Sequence, residues 1–284
     1  MTDGNMDEKK DFACAAVLTC HNRREKTLAC LRSLAEGNPR IGFTFIVTDD
    51  GSTDGTPEAL LALPYTIVLL RGDGTLFWNG GMRSGMAYLR AGKEAVSDYV
   101  LMVNDDVRFY EGAIEALIVR SAENGNCTVA GATEDTKGRL TYGGVRCLSA
   151  TFARFSLLPP SQEPADCDTF NGNCVLLPWA VFLSAGELDP RYLHSMADYD
   201  YGLGLKRQGF RVINAESVSG VCEDNDIRGS WRDRTLSRAK RLQKKESPKG
   251  LPRGDWFYFL KKNYGLFSAL YHSLTPYLRI AFRL

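Results

Sequence analysis

The sequence lacks several features that assign a chain directly to a functional class. It has no excess of charge of one sign, because 35 Lys and Arg residues stand against 34 Asp and Glu residues, so the composition gives no reason to expect nucleic acid as a partner. It contains no run of about 18 uncharged apolar residues, so no conventional membrane-spanning helix is predicted. Any electrostatic or membrane contact is therefore expected to depend on a local segment.

The eight cysteines lack the spacing of a metal or redox site, since no two of them form a CxxC pair and most lie in or beside apolar runs. The opening stretch MTDGNMDEKKDF is polar and partly acidic, whereas a secretory signal needs a basic start and an apolar stretch. These two features predict a cytoplasmic protein with reduced thiols.

Two phosphate-binding motifs are also absent. The stretch GDGTLFWNGG fails the GxGxxG pattern at Phe77, and GxxxxGK[ST] does not occur. Gly80 and Gly81 can still present backbone N–H groups to a diphosphate ahead of the following helix, with Arg83 nearby. The alternative is a loop held in place by Trp78, packed into the core.

What the sequence does contain is an alternation of apolar runs and helical patterns over its first 130 residues. Asn22 and Thr56 are predicted to cap two of the helices. The alternation predicts an α/β fold with a Rossmann-like, mostly parallel central sheet flanked by helices. The runs that we predict as buried strands are residues 13–19, 43–48, 65–70, 99–103 and 127–130.

The alternation of apolar runs and helical patterns changes twice after residue 130. From residue 131 it becomes irregular, with further strands predicted at 173–177 and 210–214. Ten residues of the segment 228–253 are Lys or Arg, and an aromatic-rich, amphipathic helical pattern follows it. We therefore divide the chain into a domain of residues 1–227, with halves 13–130 and 131–227, and a basic and amphipathic C-terminal region, 228–284.

Polar and acidic side chains follow two of the predicted strands, Asp50 after the second and Asn104, Asp105 and Asp106 after the fourth. The carboxyl ends of parallel strands meet at the sheet edge where open α/β sheets bind ligands. Adjacent carboxylates repel unless a hard cation such as Mg²⁺ or Mn²⁺ stabilises them, with water and phosphates completing its shell. The alternatives are an Asx-turn with a helix cap at Asp50 and a solvated turn at the acidic pair.

Asp198 and Asp200 lie two residues apart near a predicted helix start, so they cannot share one helical face. One of them is expected to face a cleft while the other caps the helix or pairs with Lys206 or Arg207. The alternative is that both are N-terminal helix charges. His194 is one of three histidines, and its simplest role is structural.

Taken in order, these motifs resemble family 2 glycosyltransferases with the GT-A fold, particularly the bacterial rhamnosyltransferase-like branch that builds surface polysaccharides. The resemblance covers residues 13–264. It rests on the stretches VLTCHNR (17–23), TDDGSTDGT (48–56), FWNGGM (77–82), NDD (104–106), NGN (171–173), GELD (186–189) and DYD (198–200).

The resemblance implies a role for each candidate residue. Asp106, the last residue of the counterpart of the DXD motif, is implied as the ligand of Mg²⁺ or Mn²⁺. Asp198 is implied as the general base, with Asp200 as the alternative two residues away. The residues implied to bind the nucleotide sugar are Thr19, Asn22, Asp50, Trp78, Gly80, Gly81, Arg83, Asn104 and Asp105.

The implied reaction is an inverting transfer from dTDP-rhamnose or a UDP-hexose to a hydroxyl of a glycan or lipid-linked saccharide. The basic and aromatic C-terminal region is expected to contact the inner face of the cell membrane, the alternative being a solvated basic loop and a core-packing helix. Two other functions stay open at this point. One is a sugar nucleotidyltransferase, although its glycine-rich signature is missing near the N-terminus, and the other is a non-catalytic nucleotide-sugar-binding protein.

Overall fold

The computed structural model describes residues 10–92, 97–224 and 227–282, so the opening stretch up to residue 9 lies outside it. The strands are β1 Phe12–Cys20, β2 Ile41–Asp49, β3 Thr66–Arg71, β4 Tyr99–Val103, β5 Arg108–Phe109, β6 Thr128–Glu134, β7 Leu140–Tyr142, β8 Gly144–Cys147, β9 Phe155–Leu157, β10 Thr169–Phe170, β11 Cys174–Pro178 and β12 Val212–Val221. The helices are α1 Arg24–Gly37, α2 Thr56–Leu61, α3 Phe77–Arg90, α4 Ala113–Glu123, α5 Trp179–Ala185, α6 Ala197–Arg207, α7 Arg238–Lys245 and α8 Arg253–Ala281.

The central sheet has the strand order β3-β2-β1-β4-β11-β6-β12-β5, with β7 paired to β6. Its first four strands are parallel, as the alternating pattern predicts, and β11 lies antiparallel between β4 and β6. A separate antiparallel sheet has the order β10-β8-β9. The predicted Rossmann-like architecture is thus confirmed. The division into halves at residue 131 stays a prediction, and the central sheet takes strands from both sides of it.

Both faces of the central sheet are covered, which explains why its strands are continuous apolar runs rather than alternating ones. Within β1, Leu18 packs toward the cluster of α1 and α4, and Val17 packs toward the cluster of α3, α6 and α8. All eight cysteines are free, and seven of them are buried. The parallel strands therefore end together at one edge, with the sheet buried beneath it.

Helix α3 begins earlier than predicted, so Gly80 and Gly81 lie inside it rather than ahead of it. The Gly80 N–H donates to the Leu76 carbonyl at 3.0 Å, which corrects the prediction that this N–H is presented to a diphosphate. A Cβ on Gly81 would overlap the Thr19 side chain. The glycine at this position allows α3 to lie directly against the end of β1.

Neither predicted helix cap is correct. Arg23 holds the N-cap position of α1, while Asn22 has a positive φ of 52° and accepts a hydrogen bond from the Thr53 N–H at 2.8 Å. Thr56 is the first residue of α2, and its N–H donates to the Asp54 carboxylate at 3.1 Å. The Asn22 side chain instead joins two neighbouring loops, and the Thr56 hydroxyl donates to Asp54 within its own loop.

The C-terminal region contains α7 and the long helix α8, which is interrupted at Gly265, where φ is 82°. The first segment of α8, residues 253–264, buries Trp256, Phe259 and Leu260 in the core. The second segment, residues 266–281, packs beside the first, and the Trp256 indole donates to the His272 carbonyl at 3.2 Å. No helix in the described part of the chain is both long and apolar enough to cross a membrane.

Candidate active site

The ends of the adjacent strands β1 and β4 bring one cation and two carboxylates together. Nη1 of Arg23 lies 3.0 Å from Oδ1 of Asp105 and 2.9 Å from Oδ2 of Asp106. The Thr27 hydroxyl donates to Asp105 at 3.3 Å. Burial raises the pKa of Asp105 to about 6, although the Arg23 guanidinium opposes the shift. Asp105 is therefore buried against α1. Its carboxylate is not exposed where it could make the predicted contact with the nucleotide.

Asp106 is the member of the acidic pair that reaches the surface, with 23% of its side chain exposed. Its Oδ2 pairs with Arg23, and its Oδ1 lies 3.7 Å from the Cys222 sulfur. No group of three or more His, Cys, Asp or Glu side chains that suits a metal occurs in the described part of the chain. One carboxylate still fits Mg²⁺ or Mn²⁺ when phosphate oxygens and water supply the remaining ligands. The residues present thus fit a metal that binds together with a diphosphate.

Asn104 connects the acidic pair to Trp78. The Trp78 indole N–H donates to Oδ1 of Asn104 at 2.7 Å, and the Asn104 N–H donates to the Asn173 carbonyl at 3.2 Å. The Asn104 side chain therefore holds the Trp78 ring in place. An aromatic ring and an amide fixed in this way form a wall on which a ligand can be oriented.

Asp198 lies on the other side of the same wall. Its Oδ2 accepts from the Gly172 N–H at 3.0 Å and its Oδ1 accepts from the Tyr199 N–H at 2.8 Å. A Cβ on Gly172 would lie 2.6 Å from the Trp78 ring and 3.3 Å from Cβ of Asp198, so this glycine is enclosed between the two side chains. Burial raises the pKa of Asp198, against the effect of the N–H donors. The structure therefore places Trp78, Asn104 and Asp198 in one cluster that continues into Asp106.

Asp200 faces away from this cluster. Its Oδ2 lies 2.6 Å from the Lys262 ammonium, and its Oδ1 accepts from the Asn263 amide at 2.9 Å. The carboxylate is buried, and both of its oxygens have partners on α8. The side chain that the sequence analysis kept as the alternative base therefore connects α6 to α8.

Two of the expected nucleotide contacts also have other partners. The Asp50 carboxylate accepts from the N–H groups of Gly74, Leu76 and Phe77 at 2.8, 3.2 and 2.9 Å, and so orders the loop ahead of α3. Arg83 lies 3.4 Å from the Glu187 carboxylate. Neither side chain belongs to the cluster around Asp198.

The remaining expected contacts lie at the ends of β1 and β2. The Thr19 hydroxyl donates to the Thr48 carbonyl at 3.0 Å, and the Asn22 N–H donates to the Ser52 hydroxyl at 2.8 Å. Nδ1 of His21 lies 2.5 Å from the Asp50 carbonyl. These contacts fix the two loops relative to one another, which gives the sheet edge a defined shape.

His194 lies beside the Arg23 pair. Burial, with Lys249 and Arg23 nearby, lowers the pKa of His194 to about 4, so the imidazole is neutral at neutral pH. The Ser195 hydroxyl donates to the Gly250 carbonyl at 3.0 Å, which holds the basic segment against the start of α6. The histidine is thus part of the packing that joins the C-terminal region to the site.

Two residues of the site, Arg23 and Gly172, were missed as functional candidates in the sequence analysis. A signal for Arg23 was present, because this residue follows β1, and β1 pairs with β4, the strand that ends at the acidic pair. The signal for Gly172 was weaker, since only the fold shows that its N–H meets Asp198.

Comparison with known proteins agrees with this geometry. The family described as "Glycosyl transferase family 2" matches residues 15–169. An N-acetylglucosaminyl-diphospho-decaprenol L-rhamnosyltransferase of Mycobacterium tuberculosis is 28% identical over 219 residues, covering 68% of this chain and 69% of the relative.

Solved structures share the fold. The mannosyltransferase PcManGT from Pyrobaculum calidifontis, in complex with GDP-Man and Mn²⁺, has a TM-score of 0.55 and 13% identity, over 96% of this chain and 76% of that one. S. aureus TarS 1–349 has a TM-score of 0.58 and 13% identity, over 94% and 80% of the two chains. The predicted GT-A fold is therefore confirmed.

Proposed function

The chain belongs to glycosyltransferase family 2, and on this basis we propose that it transfers a sugar from a nucleotide-diphosphate donor to a hydroxyl group with inversion at the anomeric carbon. The observation that carries the mechanism is the position of Asp198 beside Trp78, Asn104 and the acidic pair. Family membership favours glycosyl transfer over nucleotidyl transfer and over binding without catalysis.

In this mechanism Asp198 takes the proton of the acceptor hydroxyl as its oxygen attacks the anomeric carbon. The burial that raises its pKa makes it a stronger base than an exposed aspartate, and such assistance contributes about 10²–10⁴-fold to a rate. The N–H groups of Gly172 and Tyr199 hold both carboxylate oxygens, so the base keeps one orientation. The nucleoside diphosphate leaves from the opposite face, so one positioned carboxylate is sufficient.

The diphosphate end of the site belongs to Asp106 and Arg23. When bound at Asp106, Mg²⁺ or Mn²⁺ supplies charge neutralisation to the departing diphosphate. Arg23 keeps the Asp106 carboxylate in place and balances the charge of Asp105 beneath it. Trp78 and Asn104 bound the space between the diphosphate and Asp198, where the donor sugar has to lie. For Asp50, Thr19, Asn22 and Arg83, we propose a supporting role through the loops that they order.

For the substrates, we propose dTDP-rhamnose or a UDP-hexose as donor and a glycan or lipid-linked saccharide as acceptor, in the synthesis of a bacterial cell-surface polysaccharide. The proposal is supported by the name of the mycobacterial relative, a rhamnosyltransferase acting on an N-acetylglucosaminyl-diphospho-lipid. The test is to incubate the protein with each nucleotide sugar and a lipid extract and to follow transfer of labelled sugar to the lipid fraction. Transfer from none of them would contradict the proposal.

A lipid-linked acceptor requires contact with the membrane, and the second segment of α8 supports this. The face it turns inward is built largely from small residues, namely Ser268, Ala269, Ser273, Pro276 and Ile280. Its large apolar side chains point outward and are 51 to 70% exposed, namely Leu266, Phe267, Leu270, Tyr271, Leu274, Leu278 and Phe282. A continuous apolar surface of this kind marks an interaction site.

The neighbouring helix α7 supplies the matching charge. Lys240 and Lys244 are exposed on it, while Lys245 is buried, where its ammonium lies 2.8 Å from the Tyr277 hydroxyl and anchors α7 to α8. A basic surface beside an apolar helical face suits an anionic leaflet. We therefore propose that the protein is located in the cytoplasm, at the inner face of the cell membrane.

A further inference from the structure

A cavity of about 700 Å³ lies on the first segment of α8 and is separate from the cluster around Asp198. The loop between α5 and α6 forms its other side. Its lining consists of Arg191, Arg253, Gly254, Phe257, Tyr258, Lys261 and Lys262. Four of these seven residues are cationic and none is acidic, so the cavity is lined by positive charge over an aromatic floor.

Among the described residues, two of these four cations lack a neutralising carboxylate, whereas Arg191 interacts electrostatically with Asp255 and Lys262 is paired directly. Lys262 has two carboxylate partners, Asp189 at 2.8 Å and Asp200 at 2.6 Å. Within the described ranges of the chain, Arg253 and Lys261 have no carboxylate within salt-bridge distance. Like charges around one cavity repel unless an anion lies between them. The arrangement therefore favours an anionic ligand.

The aromatic floor adds a second requirement. The guanidinium of Arg191 lies over the Tyr258 ring at 4.6 Å, and the Tyr258 hydroxyl donates to Asp189 at 2.8 Å, so ring and cation are both held in place. Guanidinium and ammonium groups are the usual partners of phosphate oxygens. The exposed side of Phe257 provides apolar contact beside them. A ligand that matches the cavity thus carries phosphate next to an apolar part.

The position of the cavity indicates which phosphate this is. Beyond it, the same helix continues across Gly265 into the exposed apolar row of the second segment. On the other side, Arg191 and Asp198 are seven residues apart, which is at most about 25 Å of chain. Asn79 holds the loop between them through the Tyr192 carbonyl at 2.6 Å. The cavity thus shares helix α8 with the apolar surface, and its lining loop leads into the helix that carries the base.

We propose that this cavity binds the diphosphate of a lipid-linked acceptor, with Arg253, Lys261 and Arg191 contacting its oxygens. The lipid chain then lies along the second segment of α8, and the sugar extends toward Asp198. The inference rests on the proposed function for its choice of ligand. Its test measures vesicle binding rather than sugar transfer, so a failure of this inference can be distinguished from a failure of the proposed function.

The test compares two double variants of the full chain. Arg253→Ala with Lys261→Ala removes two cations of the cavity, and Lys240→Ala with Lys244→Ala removes the same charge from the exposed face of α7. Binding is measured by flotation with phosphatidylcholine vesicles that contain either a polyisoprenyl diphosphate or phosphatidylglycerol at equal surface charge. Inorganic pyrophosphate serves as the soluble competitor. Unchanged melting temperatures show that both variants are folded.

We expect the cavity variant to lose about tenfold or more of its binding to polyisoprenyl diphosphate vesicles, since charge-assisted hydrogen bonds to phosphate are lost. The α7 variant should bind both kinds of vesicle more weakly but keep the wild-type preference for polyisoprenyl diphosphate over phosphatidylglycerol, and pyrophosphate should remove this preference in the wild type. Loss of the preference in the α7 variant as well would overturn the proposal, because it would show a general basic surface. Unchanged binding in the cavity variant would overturn it as well, and so would equal wild-type binding to both kinds of vesicle.

Discussion

Replacing Asp198 by Asn separates the role of this carboxylate from that of Asp200. In the variant the side chain keeps one carbonyl oxygen, whereas the N–H groups of Gly172 and Tyr199 each need an acceptor. One N–H group left unpaired costs about 1–3 kcal/mol, and the loss of a buried charge offsets part of this. We therefore expect the free energy of unfolding to fall by only about 1 kcal/mol. The rate of transfer should fall by about 10²–10⁴-fold, because no base remains.

Asp200→Asn is the matched control, since it removes the same charge two residues away. Here the lost contact is the pair with Lys262, which keeps Asp189 as a partner, so about 1–2 kcal/mol of stability should be lost. Transfer at a temperature where the variant is folded should remain within a few-fold of wild type.

The assay is transfer from the donor under single-turnover conditions, with donor affinity and urea unfolding measured on the same preparations. Asp198→Asn should bind the donor normally. If Asp198→Asn retained transfer and Asp200→Asn abolished it, the assignment of the base would be wrong by two residues. If both variants lost transfer only in proportion to the folded fraction, neither carboxylate would act as a base.

Gly81→Ala should lower the free energy of unfolding by about 1–3 kcal/mol in urea titrations, because the new Cβ meets the Thr19 side chain. Gly254→Ala is the control, since the space around Gly254 is open, and it should change stability little. Equal effects of the two substitutions would contradict the close packing of α3 against β1. The depressed pKa of His194, about 4 against an ordinary 6.5, means that the unfolded chain binds more protons between these values. The free energy of unfolding should therefore fall by at most about 3 kcal/mol as the pH drops from about 6.5 to about 4. His194→Asn should remove this part of the pH dependence. An unchanged pH dependence in the variant would exclude the histidine as its source. Leu270→Glu places a charge in the exposed apolar row and should reduce flotation with anionic vesicles without lowering the melting temperature; unchanged flotation would contradict membrane contact through α8.

The parallel part of the sheet could be predicted because its strands carry an unambiguous signal. Residues 99–103 were predicted with the boundaries observed for β4, since five apolar residues are buried on both faces and polar residues flank them. The antiparallel β11 was predicted as a strand, but nothing local in Cys174–Pro178 specifies its direction. The small sheet was not predicted, because strands of two to four residues carry too short a pattern.

For the candidate site, the sequence predicted only those residues that directly follow a strand, and not the side-chain pairings between distant residues. Asn104 and Asp106 follow a strand, so their place at the sheet edge could be inferred. The pairing of Arg23 with Asp106 joins residues 83 positions apart, and only the adjacency of β1 and β4 brings them together. The partner of Asp200 likewise comes from α8, 62 residues along the chain.

The outward apolar face of α8 shows a different limit. Periodicity identifies an amphipathic helix but not which face is buried, and the usual assumption assigns the apolar face to the core. Here Ala269 and Ser273 are inside while Phe267 and Leu274 are outside. This reversal could be read only from the packing.

The most direct test of the central claim is a thermal-shift titration of the wild type and of Asp106→Ala with UDP-, dTDP- and GDP-sugars, each with and without Mg²⁺ or Mn²⁺. A ligand that binds the native state raises its apparent melting temperature. We expect one nucleotide class to stabilise the wild type, more strongly with the metal, and the metal-dependent part to be absent in Asp106→Ala. No stabilisation by any nucleotide sugar, or an identical metal response in the variant, would contradict a donor site at the acidic pair.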